Sequence, residues 1–243
     1  MLSKSQVKYI QSLGQKKFRN EEAVFIAEGP RIVQELMQET PALLKQIYAQ
    51  QDWIDEQQAL LQHFNVTAVT DGDLSRISQL TTPNRVLAVV QKPDYGNSFN
   101  TKNTITLALD DIRDPGNLGT IIRIADWFGI SQVLCSKASA DMFNPKVVQS
   151  TMGSIVRVKV LYTDLLPWIQ QQPVSVYAAV LDGKDVTQMP KLYEGIIIIG
   201  NEAHGIDEKI LAVTNERITI PRKGRAESLN AAVATGIILS HLT

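Results

Sequence analysis

Ile218-Thr219-Ile220-Pro221-Arg222-Lys223-Gly224-Arg225-Ala226-Glu227-Ser228-Leu229-Asn230, running on into Ala231 to Leu242, is the stretch that decides the fold. A short β-branched run stops at a proline, which cannot donate to a ladder. A basic, glycine-containing loop follows. Ser228 and Asn230 then stand where a helix opens, as residue types that cap free backbone N–H groups or hold a ligand. The expected helix, residues 229–241, is apolar round most of its circumference and is read as buried. A strand, a polar cationic loop and a buried helix in that order imply a site at the end of the strand.

The rest of the second half alternates in the same way. Strands are expected over 104–109, 132–135, 155–160, 174–180, 196–199 and 218–220, with helices near 118–128, 144–151, 165–171 and 208–213. Ile196-Ile197-Ile198-Ile199 is apolar without interruption, as a parallel strand covered on both faces requires. The fold class is therefore α/β, a doubly wound parallel sheet whose ligands bind beyond the carboxyl ends of its strands.

The first half reads as a smaller α/β unit. Val7, Ile10 and Leu13 recur at helical spacing within one helix over 4–18, with Gly14 near its end. Strands are expected near 23–27, 46–49, 66–69 and 85–90. Helices are expected over 31–37 and over 71–80, the second capped by Asp71. Residues 91–100 have linker composition, and a domain boundary is placed there.

A net charge of −1 gives no global attraction to nucleic acid or membrane, so a polyanion must be met by local patches. The candidates are Lys4, Lys8, Lys16, Lys17 and Arg19 in front and Arg222, Lys223 and Arg225 behind. The lone Cys135 excludes an internal disulfide and a cysteine metal cluster, and is expected to be buried filler. His63, His204 and His241 have no metal-ligand spacing, so no metal is expected. No run approaches the ~18 apolar residues of a membrane span, and the N-terminus lacks a signal h-region. The expected location is the cytoplasm, with no membrane partner.

Two further stretches point at the same strand-end crevice. In Leu109-Asp110-Asp111-Ile112-Arg113-Asp114-Pro115-Gly116-Asn117 a strand ends, a Pro-Gly turn follows, and Asn117 opens a helix that carries Arg123. Asn117 and Arg123 lie less than two helical turns apart, so both can face the crevice. A capping Asn and a solvated Arg would look the same. In Ile199-Gly200-Asn201-Glu202-Ala203-His204-Gly205 the strand delivers Gly200, whose missing Cβ lets backbone approach a ligand. Glu202 follows as a strand-end carboxylate, although a surface acidic turn would read alike. His204 is taken as a turn residue.

Asn117-x-Gly119-x-x-x-Arg123, Gly200-Asn201-Glu202-x-x-Gly205, and Ile220-Pro221 followed by Ser228-Leu229-Asn230 together resemble the SpoU, or TrmH-type, branch of the SPOUT methyltransferases. The likeness covers residues 104–243. Glu28-Gly29 and the 82–90 run resemble, less specifically, the α/β/α RNA-binding domain that precedes it in that family. The resemblance implies an N-terminal RNA substrate-binding domain over 1–95 and a catalytic domain over 104–243 with a C-terminal trefoil knot. It implies S-adenosylmethionine as cofactor, held at Leu181, Gly200, Ile220 and Leu229 with Ser228 and Asn230 nearby. It implies a ribose 2′-hydroxyl in tRNA or rRNA as methyl acceptor, and a homodimer formed through knot-side helices. Arg123 resembles the residue that activates the hydroxyl, oriented by Asn117 and Glu202, while Ser228 and Asn230 shape the junction of cofactor and acceptor. A base methyltransferase and a non-catalytic RNA-binding module are the competing readings. The 222–225 loop is more basic than the family's usual version.

Overall fold

The computed structural model describes residues 2–96 and 99–243; Met1, and Asn97 and Ser98 of the expected linker, lie outside the described residues. The chain divides into two compact units, Met1–Asp94 with Phe143–Val156, and Tyr95–Met142 with Arg157–Thr243.

Four strands carry the first unit: β1 (Val24–Glu28), β2 (Leu44–Ala49), β3 (Val66–Ala68) and β4 (Val86–Gln91). They form one sheet in the order β1-β4-β2-β3. β4 runs antiparallel to β1 and β2, and β2 runs parallel to β3. β1 is buried at every position, because helices cover it. Val7, Ile10 and Leu13 pack with Ile26, Leu74 and Leu87 in one cluster. The helix Pro145–Thr151 packs on β1. The Phe143 ring lies 4.9 Å, centroid to centroid, from Phe25. Residues 143–156, expected within the second half, thus complete the first unit.

The single helix expected over 4–18 is two helices, Lys4–Ser12 and Lys16–Glu21. The break has a physical cause. A Cβ on Gly14 would meet the Gln79 Oε1 at 2.3 Å, and the Arg19 Nη1 donates to the Leu13 and Gly14 carbonyls at 2.9 and 2.8 Å. Arg19 is 2% exposed and serves this turn, so it drops out of the basic surface set. The helix begun at Asp71 ends at Ile77, and Thr70, not Asp71, caps it through a capping box with Asp73. Helices Gln51–Glu56 and Gln58–Leu61, anchored by buried Trp53, were not expected from the sequence.

Six strands carry the second unit: β5 (Ile105–Leu109), β6 (Gln132–Ser136), β7 (Lys159–Thr163), β8 (Val176–Asp185), β9 (Gly195–Ile199) and β10 (Glu216–Thr219). Their order is β10-β8-β9-β5-β6-β7, and the pairings are parallel throughout. β7 starts later than the expected 155–160 strand, because residues 154–156 form a 3-10 turn of the first unit. β9 is buried at every position, as its isoleucine run requires. Cys135 on β6 is fully buried, and burial pushes its thiol well above the ordinary range.

β8 departs from a simple ladder. It pairs with β9 only over Val176–Ala178. Against β10, Ala178 partners Arg217 but the next partner, of Ile218, is Lys184. Residues 179–183 therefore leave the ladder. Gly183 brings the chain back, where a Cβ would sit 2.6 Å from the Arg217 and Ile218 backbone. No described helix is long and apolar enough to cross a membrane.

Arg19→Ala removes a buried charged donor from two carbonyls and is expected to destabilise the chain by about 2 kcal/mol in urea unfolding. Lys16→Ala, on an exposed position, is expected to change stability by less than about 0.5 kcal/mol.

Candidate functional site

The excursion of β8 opens a cavity of about 660 Å³ at the carboxyl ends of β8, β9 and β10. Its walls are residues 179–182, the turn 199–205, the segment 218–224, loop residues Ser228 and Leu229, and Ala231, Ala234 and Ile238 of the last helix. Of the residues expected to hold a cofactor, Leu181, Gly200, Ile220, Ser228 and Leu229 all line it. Asn230 lies between lining residues Leu229 and Ala231 but does not line the cavity itself. His204, Arg222 and Lys223 line it as well. Asp182, Glu202 and Glu227 give the wall negative charge beside Arg222 and Lys223.

Each wall has a local cause. Gly200 is the last residue before the turn, and a Cβ there would lie 2.4 Å from the Gly205 carbonyl carbon. Only glycine lets the turn fold so closely over the strand end. Asn201 and Gly205 exchange two backbone hydrogen bonds, at 3.0 and 2.9 Å, which close the turn. The last helix runs Ala231–Leu242, and Asn230 caps it by accepting from the Ala232 and Val233 N–H groups at 3.0 and 3.3 Å.

Asn117 is placed by a cap of its own. The helix begins at Pro115, not Leu118, and Asp114 accepts from the Asn117 N–H at 2.8 Å. Aspartate before a proline in the first turn is the ordinary start signal, and it was legible in Asp114-Pro115. The Asn117 side chain is thereby released from capping. Its Nδ2 donates to the Glu202 Oε1, and its Oδ1 accepts from the Asn230 Nδ2 at 2.8 Å. Residues 117, 202 and 230, far apart in the chain, form one hydrogen-bonded series.

Arg123 stands apart from that series. It lies on the exposed face of the Pro115–Trp127 helix, outside the cavity wall. The Glu202 carboxylate and the Asn117 amide bond to one another, so the expected orientation of Arg123 by that pair is not what these bonds provide. Arg222, Lys223 and Gly224 of the basic loop line the cavity, and the Arg222 Nη1 donates to the Ala226 carbonyl at 3.2 Å. Asp110 and the Asn201 side chain were assigned no role from the sequence. Burial, and after it the neighbouring Asp207 and Asp111 carboxylates, push the Asp110 carboxyl above the usual range, against the Asp207 N–H that favours its ionised form. Among the described residues no group of three His, Cys, Asp or Glu side chains could hold a metal ion.

Two family models match the chain. The one described as the SpoU rRNA Methylase family covers residues 104–240, and the MRM3-like substrate binding domain covers residues 4–88. The 23S rRNA (guanosine(2553)-2'-O)-methyltransferase RlmP of Bacillus subtilis is 31% identical over 240 residues, 97% of this chain and 95% of that protein. Among solved structures, a TrmH-family protein from Porphyromonas gingivalis is 36% identical with a TM-score of 0.84, covering 99% of this chain and 98% of that one. The AdoMet-bound rRNA methyltransferase from Sinorhizobium meliloti is 30% identical with a TM-score of 0.87, over 99% and 95%. The strand order, the cavity beyond the strand ends and these likenesses agree, and the chain belongs to the SpoU rRNA methylase family.

Proposed function

We propose that this protein transfers a methyl group from S-adenosylmethionine to a ribose 2′-hydroxyl of RNA, with rRNA favoured because RlmP, so similar in sequence, is an rRNA methyltransferase. The observation that carries the reading is the cavity of about 660 Å³ with the Asn117–Glu202–Asn230 series at its edge. That volume lies within the range of pockets that enclose a molecule of cofactor size. The residues present suit the cofactor. Apolar Ile199, Ile220, Leu229 and Ile238 offer a face for a purine, and the carboxylates of Asp182, Glu202 and Glu227 suit cationic groups. Bound there, S-adenosylmethionine would supply an electrophilic methyl on a sulfonium.

The chain's own part is positioning and charge. Holding acceptor and donor in line removes much of the barrier. Asn117 and Asn230 fix the Glu202 carboxylate, and Ser228 sits on the cavity wall beside them. Arg123 serves by stabilising negative charge developing on the ribose oxygen and by anchoring a neighbouring phosphate. The proton of the hydroxyl leaves to water or phosphate.

Residues 1–95 act as the RNA-binding domain and residues 104–243 as the catalytic domain in this reading. The last segment threads to form a trefoil knot, supported by the return of β10 beside β8 and by the Leu192 N–H donating to the Leu242 carbonyl at 2.7 Å. A homodimer forms through the helices 115–127 and 231–242. Their outward faces carry Trp127, 85% exposed, and Val233, 51% exposed. Arg123 shares the Trp127 face one turn away, which puts it at the seam of such a dimer. RNA is met by Lys4, Lys8, Lys16 and Lys17 in one unit and by Arg222, Lys223 and Arg225 in the other, all exposed.

Arg123→Ala is expected to lower the single-turnover methylation rate about 100-fold with cofactor affinity unchanged. A near-normal rate would remove Arg123 from the chemistry. Asn117→Asp sets a second carboxylate against Glu202, and thermal melts should show a Tm about 2 °C below wild type at neutral pH, recovering on acidification as one carboxylate takes a proton. RNA binding should weaken steeply with added salt, and replacing Arg222, Lys223 and Arg225 by Gln should flatten the log–log slope by roughly 1 to 3.

A further inference from the structure

We propose that Asp110 is a positioning residue for the cavity: its carboxylate, with the Asn201 amide, sets the 200–207 turn in the form that receives the cofactor. The proposal rests on the cofactor reading above. The turn supplies Gly200, Glu202 and His204 to the cavity wall, and both of its ends are tied to residues 110 and 111.

The first tie is Asn201. Its Oδ1 accepts from the Ala203 and His204 N–H groups at 2.8 and 3.2 Å, and its Nδ2 donates to the Asp111 carbonyl at 2.8 Å. One amide therefore shapes the turn and fastens it to the end of β5. The second tie is Asp110, whose Oδ2 accepts from the Asp207 N–H at 2.9 Å, beyond the turn. The Asp110 N–H continues the ladder to the Ile199 carbonyl at 2.9 Å. The anchor is itself held. Asp111 has φ +57°, a left-handed conformation uncommon outside glycine, and its N–H donates to the Ser136 Oγ at 2.8 Å.

Charge sharpens the case. Asp110 is half-buried, and the charged groups acting on it are Asp111, next in the chain, and Asp207, from the turn. Arg113 is committed to Asp111 at 2.7 Å. An ionised carboxylate in that corner works against the fold. Because its folded value is raised, the stability it contributes is present at low pH and lost as pH rises through that value. An asparagine would accept the same N–H without the charge. As pH falls through the raised value the carboxyl gains a proton, the repulsion from Asp207 and Asp111 is relieved, and its carbonyl oxygen still accepts the Asp207 N–H, so the turn tightens.

The test is calorimetric titration of S-adenosylhomocysteine into the whole protein from pH 5 to 8, with Asp110→Ala and Asp110→Asn. This probe has a neutral sulfur, so it reports the turn rather than attraction of a sulfonium. Asp110→Ala is expected to bind about tenfold more weakly, and Asp110→Asn to recover most of that loss. Wild-type affinity should strengthen toward acid, as the Asp110 charge is relieved, while that of Asp110→Asn stays flat. The Tm of unliganded Asp110→Asn at neutral pH should equal or exceed that of wild type. Wild-type affinity in Asp110→Ala, or the wild-type pH dependence persisting in Asp110→Asn, overturns the proposal. If Asp110→Ala does not fold, the pH comparison with Asp110→Asn decides alone. Failure of the wild type itself to bind the probe would bring down the cofactor reading and this one together; binding by wild type and Asp110→Ala alike would bring down only this one.

Discussion

A strand in a parallel ladder can continue in register or leave it, and β8 leaves. Consecutive residues Arg217 and Ile218 of β10 find partners at Ala178 and Lys184, so the intervening stretch of β8 has no place in the sheet. It must stand out from the strand ends, and its residues 179–182 become a wall. Gly183 allows the return, because any side chain there would strike the β10 backbone. With β8 in continuous register, the 200–207 turn and the 221–230 loop would have no hollow to enclose.

The polar series at the edge of that hollow has a direction. Backbone N–H groups at the start of the last helix donate to Asn230, Asn230 donates to Asn117, and Asn117 donates to Glu202. Each amide is polarised the same way, and negative charge is favoured at the far end. Asn230 is thus both helix cap and site residue. Its loss would unsettle the last helix and the carboxylate together, so stability and function are coupled at this position.

Much of this was legible beforehand because periodicity and turn chemistry are local. The isoleucine run 196–199 could only be a covered strand, and Asn230 could only stand at a helix mouth. Leu181, Ile220 and Leu229 were expected at the cofactor site from the resemblance alone, Gly200 and Ser228 also from their places at a strand end and a helix mouth, and all five line one cavity. What was missed depends on partners distant in the chain. Arg19 looked like a surface cation because nothing local shows that it folds back on Leu13 and Gly14. The Asn117–Glu202 bond spans units of sequence that no spacing rule connects. The β8 excursion leaves no mark in composition, since Val180-Leu181-Asp182-Gly183 could equally continue a strand.

The two compact units do not correspond to two consecutive lengths of polypeptide. Phe143–Val156 departs from the second unit, lays its helix on β1, and returns. Dissection at the 91–100 segment would therefore leave an apolar surface on the amino-terminal piece where Phe143 and the Pro145–Thr151 helix had lain. It would also give the remaining piece an orphaned amphipathic helix. Two such fragments would be expected to aggregate when made separately and to recover a native state only when mixed, which makes this chain a poor candidate for modular exchange of its amino-terminal half.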